Sequence, residues 1–568
     1  MISEEIKNKI KALYVEKKYD ELIKFTEKFT LPEHRPSGLI NLLGNSYYLK
    51  NNPSKEDVYS ALSLFEQAYL KEKNSVHGLN AIKNFVIVGI KVSNVFKEFS
   101  KYLFKAKDLY LEAEDYFDKN EEFFQTGLLL FFHLLDKKKI KEITDKILNN
   151  SVNSKDLRGQ STYIANYFYD WPQESIINIS KQNSEYYSKL NVKKIDQLSN
   201  SKNQIINLGF VSCDLIRSHS IYYFLKDTIK YLDKSKFRIF IFSLNKRDSN
   251  DLSQNYLRKL SDEWFDLQDF NNQKICEIIQ EKNIEILFDL IGYTNSKRIE
   301  IFNSRVSPIQ ISWLAYCNTT GFDTVDYMLT DKNLIYEKEY NLYTEKIVKL
   351  PNIWNAHSGF NYVRKFNELS AFSQKYFTFG SLNNFMKISD ETIDAWSEIL
   401  KQVNNSILIL KSSNFCSEEI IMNKFKSNGV AEKVKILRKI NFLKHEDHLN
   451  LYKKIDLCLD TFPYNGVTTT FEALWMNIPV MVLKGKNFVS RCGESIMKNS
   501  KNDYLIANNV NEYISKSVSL SQDLNKLDSI RKNIYEKILS SVLFDTKKFS
   551  EDFNQTILNI YNSHNKQN

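Results

Sequence analysis

The sequence predicts a helical N-terminal region followed by two α/β domains, an α + α/β architecture. Helical periodicity continues with few turn signals through residues 1–195, whereas short apolar runs alternate with amphipathic helices after residue 203. This alternation is typical of parallel sheets whose strands are joined by crossover helices. A polar segment without periodicity, 196–203, predicts the boundary between the two parts.

One pair of segments in the helical region fits the tetratricopeptide pattern of two packed helices. The pattern occupies 40–47 in the first helix and 61–68 in the second, and the flanking segments match it poorly. We therefore expect a short, irregular helical array over residues 1–195. A plain helical bundle is the alternative.

Two series of apolar runs predict two sheets in tandem. The first contains 205–212, 237–244, 284–291, 309–314 and 327–330; after a linker near 361–370, the second contains 377–381, 406–410, 434–437, 456–459 and 478–483. The implied domains are 204–365 and 366–525, followed by a C-terminal helix over 526–568. Two doubly wound sheets leave a cleft where the carboxyl ends of strands face one ligand.

Composition excludes several functional classes. The chain has 568 residues, and its net charge of +9 is spread along its length without a basic, aromatic-rich cluster, so we expect no nucleic-acid partner. Neither the dinucleotide-binding pattern Gly-x-Gly-x-x-Gly nor the P-loop pattern Gly-x-x-x-x-Gly-Lys-[Ser/Thr] occurs. The sequence therefore supports neither dinucleotide oxidoreduction nor P-loop hydrolysis.

The cysteines and the apolar segments bear on the cellular compartment. The six cysteines are scattered without a Cys-x-x-Cys pair, which favours reduced thiols over a zinc site. The N-terminus does not resemble a secretory signal, and the longest apolar stretch, 127–135, is too short to span a bilayer. We expect a soluble, cytoplasmic protein.

The segment 460–475 is the most informative motif in the chain. An apolar run at 457–459 predicts a buried strand, 463–466 a turn, and 468–476 the start of a helix. Thr468, Thr469 and Thr470 thus lie where a helix presents unpaired N–H groups, which together with the helix dipole favours phosphate binding. The alternative is that Thr469 and Glu472 form only a capping box.

Three segments in order, 305–321, 379–388 and 459–470, resemble the catalytic region of the O-GlcNAc transferase and SPINDLY family. In that family tetratricopeptide repeats precede a GT-B fold of two Rossmann-like domains, and the resemblance covers about residues 204–540. It favours the phosphate-binding interpretation of the threonines over the capping box.

The resemblance implies a glycosyltransferase that moves a sugar from a nucleotide sugar to Ser or Thr of a protein without a metal. UDP-GlcNAc is the preferred donor. A SPINDLY-like O-fucosyltransferase that uses GDP-fucose is one alternative, and an inactive repeat scaffold is another.

The resemblance also implies which residues bind the donor. Lys387 matches a lysine at the diphosphate and is expected to stabilise the leaving group; Asn384 matches an amide that contacts the nucleotide, and His448 a histidine at the base or ribose. The full donor-binding set is Asn384, Lys387, His448, Asn465, Thr468, Thr469, Thr470 and Glu472. His445 and His448 have a spacing that metal ligands can adopt, but Lys387 and the helix start already supply positive charge, so we expect no metal and no other cofactor.

The acceptor side is implied for residues of the first sheet domain. His219 resembles a histidine proposed as general base, a role that suits imidazole, although one extra residue separates it from Asp214; a structural role is the alternative. Asn318 and Thr319 are expected to line the acceptor side. The helical region is expected to select protein acceptors and to contribute little to donor chemistry.

Overall fold

The computed structural model describes residues 2–149, 154–168, 171–187, 205–216, 219–412, 415–438 and 445–567. The chain divides into two compact units. The first comprises 1–152 with 412–422, and the second comprises 153–411 with 423–568. The boundary predicted at 196–203 lies outside the described residues and stays a prediction.

The first unit consists of helices that pack against their neighbours in sequence. They are α1 (Glu4–Val15), α2 (Tyr19–Phe29), α3 (Ser37–Leu49), α4 (Lys55–Lys71), α5 (Val76–Ser93), α6 (Ser100–Ala113), α7 (Glu121–His133) and α8 (Lys137–Asn149). Helices α3 and α4 form the predicted tetratricopeptide-like pair. Gly44 lets them approach closely, because a Cβ there would lie 2.7 Å from the Phe65 ring.

The second unit begins with two helices, α9 (Lys155–Ala165) and α10 (Gln173–Tyr186), although the sequence pattern places them in the helical region 1–195. Both contact the first sheet domain. The Nε2 atom of Gln173 donates to Asn318 Oδ1 at 2.5 Å, and the Tyr187 hydroxyl that follows α10 donates to the Ser296 carbonyl at 3.2 Å. These helices therefore belong to the fold of the second unit.

The first sheet of the described residues has seven parallel strands in the order β3-β2-β1-β4-β5-β6-β7. Its elements are β1 (Ile206–Ser212), α11 (Ser220–Lys230), β2 (Phe237–Ser243), α12 (Leu252–Leu260), β3 (Glu263–Asp266), α13 (Asn272–Glu281), β4 (Ile286–Asp289), β5 (Ile309–Ser312), β6 (Tyr327–Thr330) and β7 (Lys346–Lys349). The strand order reverses between β1 and β4, which pair in parallel.

The second sheet of the described residues has six strands in the order β10-β9-β8-β11-β12-β13. Its elements are α14 (Ser370–Ser373), β8 (Phe377–Ser381), α15 (Asp390–Gln402), β9 (Ser406–Ser412), α16 (Phe415–Ser427), β10 (Val434–Arg438), α17 (His445–Leu451), β11 (Leu457–Leu459), α18 (Thr468–Trp475), β12 (Val480–Leu483), α19 (Phe488–Asn499) and β13 (Ile506–Ala507). Here the order reverses between β8 and β11, which pair in parallel. The predicted fold class is confirmed.

The sequence missed β3, β7 and β13. All three lie at or next to a sheet edge and are short; β3 is half-buried throughout, and β7 begins and ends with lysine. Such strands need no continuous apolar run, so they lack the pattern that marks central strands.

Three helices end the described chain: α20 (Val510–Gln522), α21 (Leu524–Lys537) and α22 (Thr546–Gln567). The expected C-terminal helix at 526–568 thus corresponds to most of α21 together with α22. Helix α22 returns to the first sheet, where the Phe553 ring lies 4.9 Å from Trp313. No helix in the described ranges combines the length and apolar character needed to cross a membrane.

Candidate active site

A cavity of about 270 Å³ lies where residues that follow strands of both sheets meet. Ser220, Leu314, Cys317 and Trp354 line it from the first sheet domain, and Asn383, Asn384, Lys387, Tyr464, Thr468 and Thr469 from the second. The residues of the second domain follow β8 and β11, the adjacent strands at its reversal point. Ligands of open α/β sheets bind at such points.

Lys387 lies at the end of a short 3₁₀ turn, Phe385–Lys387, that Asn384 caps. Its Nζ atom donates to the Asn465 carbonyl at 2.8 Å and lies 4.3 Å from the centre of the Tyr464 ring. Burial lowers the pKa of Lys387, and the Asp460 carboxylate partly offsets this effect. Asn384, in contrast, is exposed at the mouth of the cavity.

Asp460 and Asn383 connect the two strand ends behind this lysine. The Oδ1 atom of Asp460 accepts from Gly466 N at 2.8 Å and from Asn383 Nδ2 at 3.0 Å, and Asn383 Oδ1 accepts from the Thr469 hydroxyl at 2.6 Å. A Cβ at Gly466 would lie 2.4 Å from that hydroxyl, which explains the glycine. Burial raises the pKa of Asp460 to about 6, against the opposing effects of the Gly466 N–H and Lys387.

The three threonines have different environments. Thr468 and Thr469 line the cavity at the start of α18, whereas Thr470 is 2% exposed and its hydroxyl donates to the Gly466 carbonyl at 3.1 Å. The capping box is not formed, because the N-cap residue is Val467 and no side chain caps the helix. Thr468 and Thr469 therefore remain the candidates for phosphate contact, and Thr470 holds the turn.

Glu472 lies one helical turn further on and binds both histidines. Its carboxylate contacts His445 Nε2 at 3.0 Å, His448 Nε2 at 2.9 Å and the Tyr452 hydroxyl at 3.0 Å. Burial alone would raise its pKa, but the charges and hydrogen bonds of His448 and His445 outweigh it and hold the pKa well below its usual range. Glu472 is only 4% exposed, so it orients the two histidines from the protein interior.

Asn465 contributes its backbone to the site. Its side chain is buried, donating to the Thr461 carbonyl at 2.9 Å and accepting from Gly493 N at 3.2 Å, while its carbonyl holds Lys387. The predicted donor-binding residue therefore acts here as a structural support for the turn.

His219 is the N-cap residue of α11. Its Nδ1 atom accepts from Ile221 N at 3.4 Å, and its Nε2 atom lies 3.6 Å from Asp214 Oδ1. The neighbouring Ser220 lines the cavity, so His219 lies at the edge of the site on the first sheet domain. Burial raises the pKa of Asp214, and His219 opposes that rise.

Asn318 and Thr319 do not line the cavity, contrary to expectation. Both are fully buried: Asn318 Nδ2 donates to Asn166 Oδ1 at 2.7 Å, and the Thr319 hydroxyl donates to Glu345 Oε2 at 2.7 Å. Asn318 thus fixes the turn after β5 against the end of α9 and against α10, and Thr319 fixes it against Glu345, which precedes β7. Leu314, Ala315 and Cys317, which precede them, are the residues after β5 that line the cavity.

Sequence reasoning also missed Asn383, Asp460 and Tyr464. Asp460 follows β11 directly and Asn383 comes two residues after β8, so their position at adjacent strand ends was the available signal. Within the described ranges, no cluster of three or more His, Cys, Asp or Glu residues has a geometry that could hold a metal ion.

The sequence profile of glycosyl transferase family 41 matches residues 178–365 and 371–553, more than half of the chain. The chain belongs to glycosyl transferase family 41. The matched residues include both sheets and every residue of the cavity named above.

This family 41 chain is 28% identical over 350 residues to the tomato (Solanum lycopersicum) protein named probable UDP-N-acetylglucosamine–peptide N-acetylglucosaminyltransferase SPINDLY, covering 61% of this chain and 37% of that protein. It is 26% identical over 371 residues to the Arabidopsis thaliana SEC protein, whose name states the same activity, covering 63% and 37%. The chain thus spans less than half the length of these relatives.

Among solved structures, a mutant O-GlcNAc transferase of Thermobaculum terrenum matches with a TM-score of 0.79 at 21% identity, covering 95% of this chain and 99% of that one. This likeness shows that the family 41 chain shares its fold.

Proposed function

We propose that this protein transfers a sugar from a nucleotide sugar, preferably GlcNAc from UDP-GlcNAc, to Ser or Thr hydroxyls of proteins. The observation that carries the proposal is the position of Lys387. Its half-buried side chain lines the same cavity as Thr468 and Thr469 at the N-terminus of α18. A cation beside a helix start suits the diphosphate of a nucleotide sugar.

In the proposed reaction the acceptor oxygen bonds to the anomeric carbon while the bond from that carbon to the diphosphate oxygen breaks. The electron pair leaves with the nucleoside diphosphate, and Lys387 with the N-terminus of α18 stabilises the growing charge in place of a metal. The acceptor proton passes to a base, for which His219 is the candidate on the first sheet domain.

Glu472 holds in place the histidines that are proposed to contact the base or ribose of the donor. By holding His448 and His445, it fixes imidazole groups beside the turn that carries the diphosphate contacts. The names of the SPINDLY and SEC relatives, which state transfer of N-acetylglucosamine to peptide, support the preferred donor and acceptor. The six free cysteines agree with the proposed cytoplasmic setting.

The test is donor turnover in the presence of a chelator. Purified protein is incubated with EDTA and either UDP-GlcNAc or GDP-fucose, and released nucleoside diphosphate and sugar bound to added protein are measured. We expect release and transfer with UDP-GlcNAc. Turnover of GDP-fucose but not of UDP-GlcNAc would make GDP-fucose the donor. Activity only with added manganese would refute the metal-independent mechanism. Turnover of neither donor would refute the proposed function.

A pair of substitutions separates the two roles of His219. His219→Asn retains an N-cap side chain but removes the imidazole, whereas His219→Ala removes both. We expect both variants to slow transfer while nucleotide affinity is unchanged. Normal transfer by His219→Asn would reduce this residue to a helix cap.

A further inference from the structure

Three tyrosines join α9 to the turn beside Lys387. The rings of Tyr167 and Tyr464 are stacked, with centroids 4.7 Å apart and an angle of 26° between the ring planes. The hydroxyl groups of Tyr163 and Tyr167 lie 3.0 Å apart, and their rings meet edge to face. Tyr167 is 7% exposed and is therefore part of the packed interior.

Tyr464 in turn contacts the group that the proposed reaction needs. The Lys387 ammonium contacts one short segment, the ring of Tyr464 with its centre 4.3 Å away and the carbonyl of Asn465 at 2.8 Å. A lysine side chain is flexible, so the position of its ammonium group depends on how firmly Tyr464 and Asn465 are held. A ring beneath the ammonium also replaces part of the solvation that burial removes.

We infer that Tyr167 is a positioning residue for Lys387 and acts through Tyr464. The inference rests on the proposed function. It makes the turn after α9 part of the active site, although this turn precedes the first sheet in the chain and Tyr167 lies before residue 178, where the family 41 match begins. Tyr464 and Lys387 lie within the family match, whereas Tyr167, which supports them, lies outside it.

A second set of contacts, from the end of α9 and from α10, supports the cavity lining of the first sheet domain. Asn166 Nδ2 donates to the Tyr316 hydroxyl at 3.1 Å, and Gln173 and Asn318 exchange hydrogen bonds between their side-chain amides. The turn fixed in this way supplies Cys317 to the cavity. The turn after α9 and helix α10 therefore support lining residues from both sheet domains, Lys387 through Tyr464 and Cys317 through its turn.

The test uses three substitutions in the full chain. Tyr167→Leu removes the stacked ring, Tyr167→Phe keeps the ring and removes the hydroxyl, and Phe168→Leu is the matched control. The ring of Phe168 packs on Trp171, with the ring centroids 5.3 Å apart, in the cluster of Ala165, Trp171 and Ile176. Its replacement therefore changes the same region but leaves the stacked pair Tyr167 and Tyr464 in place. For each variant, kcat and the donor KM are measured with the donor that the wild-type protein uses.

We expect Tyr167→Leu to lower kcat roughly tenfold or more, since small displacements of a catalytic group have effects of this size, and to change KM little. Tyr167→Phe and Phe168→Leu should retain a kcat close to that of the wild type. The rescue by phenylalanine separates placement of Lys387 from general loss of stability. Thermal midpoints establish that each variant is folded, and Tyr167→Met replaces the leucine variant if the latter does not fold.

An unchanged kcat in Tyr167→Leu, or an equal loss in Phe168→Leu, would overturn the inference while leaving the proposed function intact. Failure of Tyr167→Phe to restore turnover would also overturn it. A wild-type protein that turns over no nucleotide sugar would instead refute the proposed function and this inference with it.

Discussion

The Nζ atom of Lys387 donates a 2.8 Å hydrogen bond to the backbone carbonyl of Asn465. The two residues are separated by 78 positions in the chain and meet because β8 and β11 are adjacent parallel strands. The contact places a half-buried cation next to the turn that leads into α18. The family 41 chain thus builds its candidate diphosphate site from the ends of two neighbouring strands.

The threonines at the start of α18 provide a matched pair of substitutions. Thr468 lines the cavity, whereas Thr470 is buried and bonded to the Gly466 carbonyl. We expect Thr468→Val to weaken nucleoside diphosphate binding severalfold with little change in thermal midpoint. Thr470→Val should lower the thermal midpoint, because it removes a buried hydrogen bond, a change of about 1 kcal/mol. Calorimetric titration and thermal unfolding check the two effects, and the reverse pattern would contradict the assignment.

The orientation of His445 and His448 is expected to depend on the charge of the Glu472 carboxylate. Glu472→Gln keeps the shape of the side chain but removes the carboxylate that contacts His445 and His448. We expect the donor KM to rise about tenfold, as when a partner that orients a binding group is lost. Glu446→Gln, at an exposed position of α17, is the control. Equal KM values for both variants would show that the buried contacts do not order the donor site.

Asp460 predicts a specific dependence of stability on pH. Its pKa is raised to about 6 in the folded protein, so the folded state holds its proton more tightly than the unfolded chain. Stability from this group is present at low pH and is lost as the pH rises from about 4 to about 6, by roughly 3 kcal/mol in total. Asp460→Asn should not show this loss.

The measurement is the difference in unfolding free energy between wild type and Asp460→Asn at pH 5 and at pH 8. Asp289 and Asp331 also have a pKa raised to about 6 by burial, but they are present in both proteins and cancel in the difference. We expect Asp460→Asn to gain stability relative to wild type as the pH rises. A difference that is constant with pH would show that the carboxyl group titrates normally.

Truncation distinguishes the two groups of helices. A fragment of residues 154–568 keeps α9 and α10 and should turn over donor at the wild-type rate while losing transfer to full-length proteins. A fragment of residues 205–568 loses the Tyr167 and Gln173 contacts and should lose stability and kcat. Solubility is checked first, because residues 412–422 group with the first unit. Normal protein transfer by the first fragment would show that the first unit does not select acceptors.

The main features of the fold could be predicted because central strands and amphipathic helices have clear periodicities. The family resemblance indicated Lys387, and the predicted helix start indicated Thr468 and Thr469. The structure brings these residues to one cavity because the strands that precede them are adjacent in the sheet. The threonine run itself did not show that Thr470 faces inward. Nor did the turn at 317–321 show that Asn318 and Thr319 are used by buried partners, because a polar residue beside a cleft and one beneath it have the same sequence pattern.

Tyr167 illustrates what local patterns omit. Its ring reaches the active site from the turn after α9, which precedes the first sheet, and a contact between residues this distant in sequence depends on how helices pack together. Hydrophobic periodicity shows that α9 is a helix, but not which part of the protein it packs against, so the sequence pattern placed α9 in the helical region. The packing of α9 and α10 on the sheet domain places them in the second unit.

The most direct test of the central claim compares the affinity of the nucleoside diphosphate with that of its nucleoside, with EDTA present, in wild type and in Lys387→Ala. UDP and uridine are titrated first, and GDP and guanosine if UDP does not bind; Lys401→Ala, an exposed lysine on α15, is the control. We predict that wild type and Lys401→Ala bind the nucleoside diphosphate far more tightly than the nucleoside. Lys387→Ala should reduce this affinity ratio about tenfold or more. The same variant should slow turnover about a hundredfold. An undiminished advantage in Lys387→Ala, or equal binding of nucleoside and nucleoside diphosphate by the wild-type protein, would contradict the claim that Lys387 and the start of α18 hold the diphosphate of the donor.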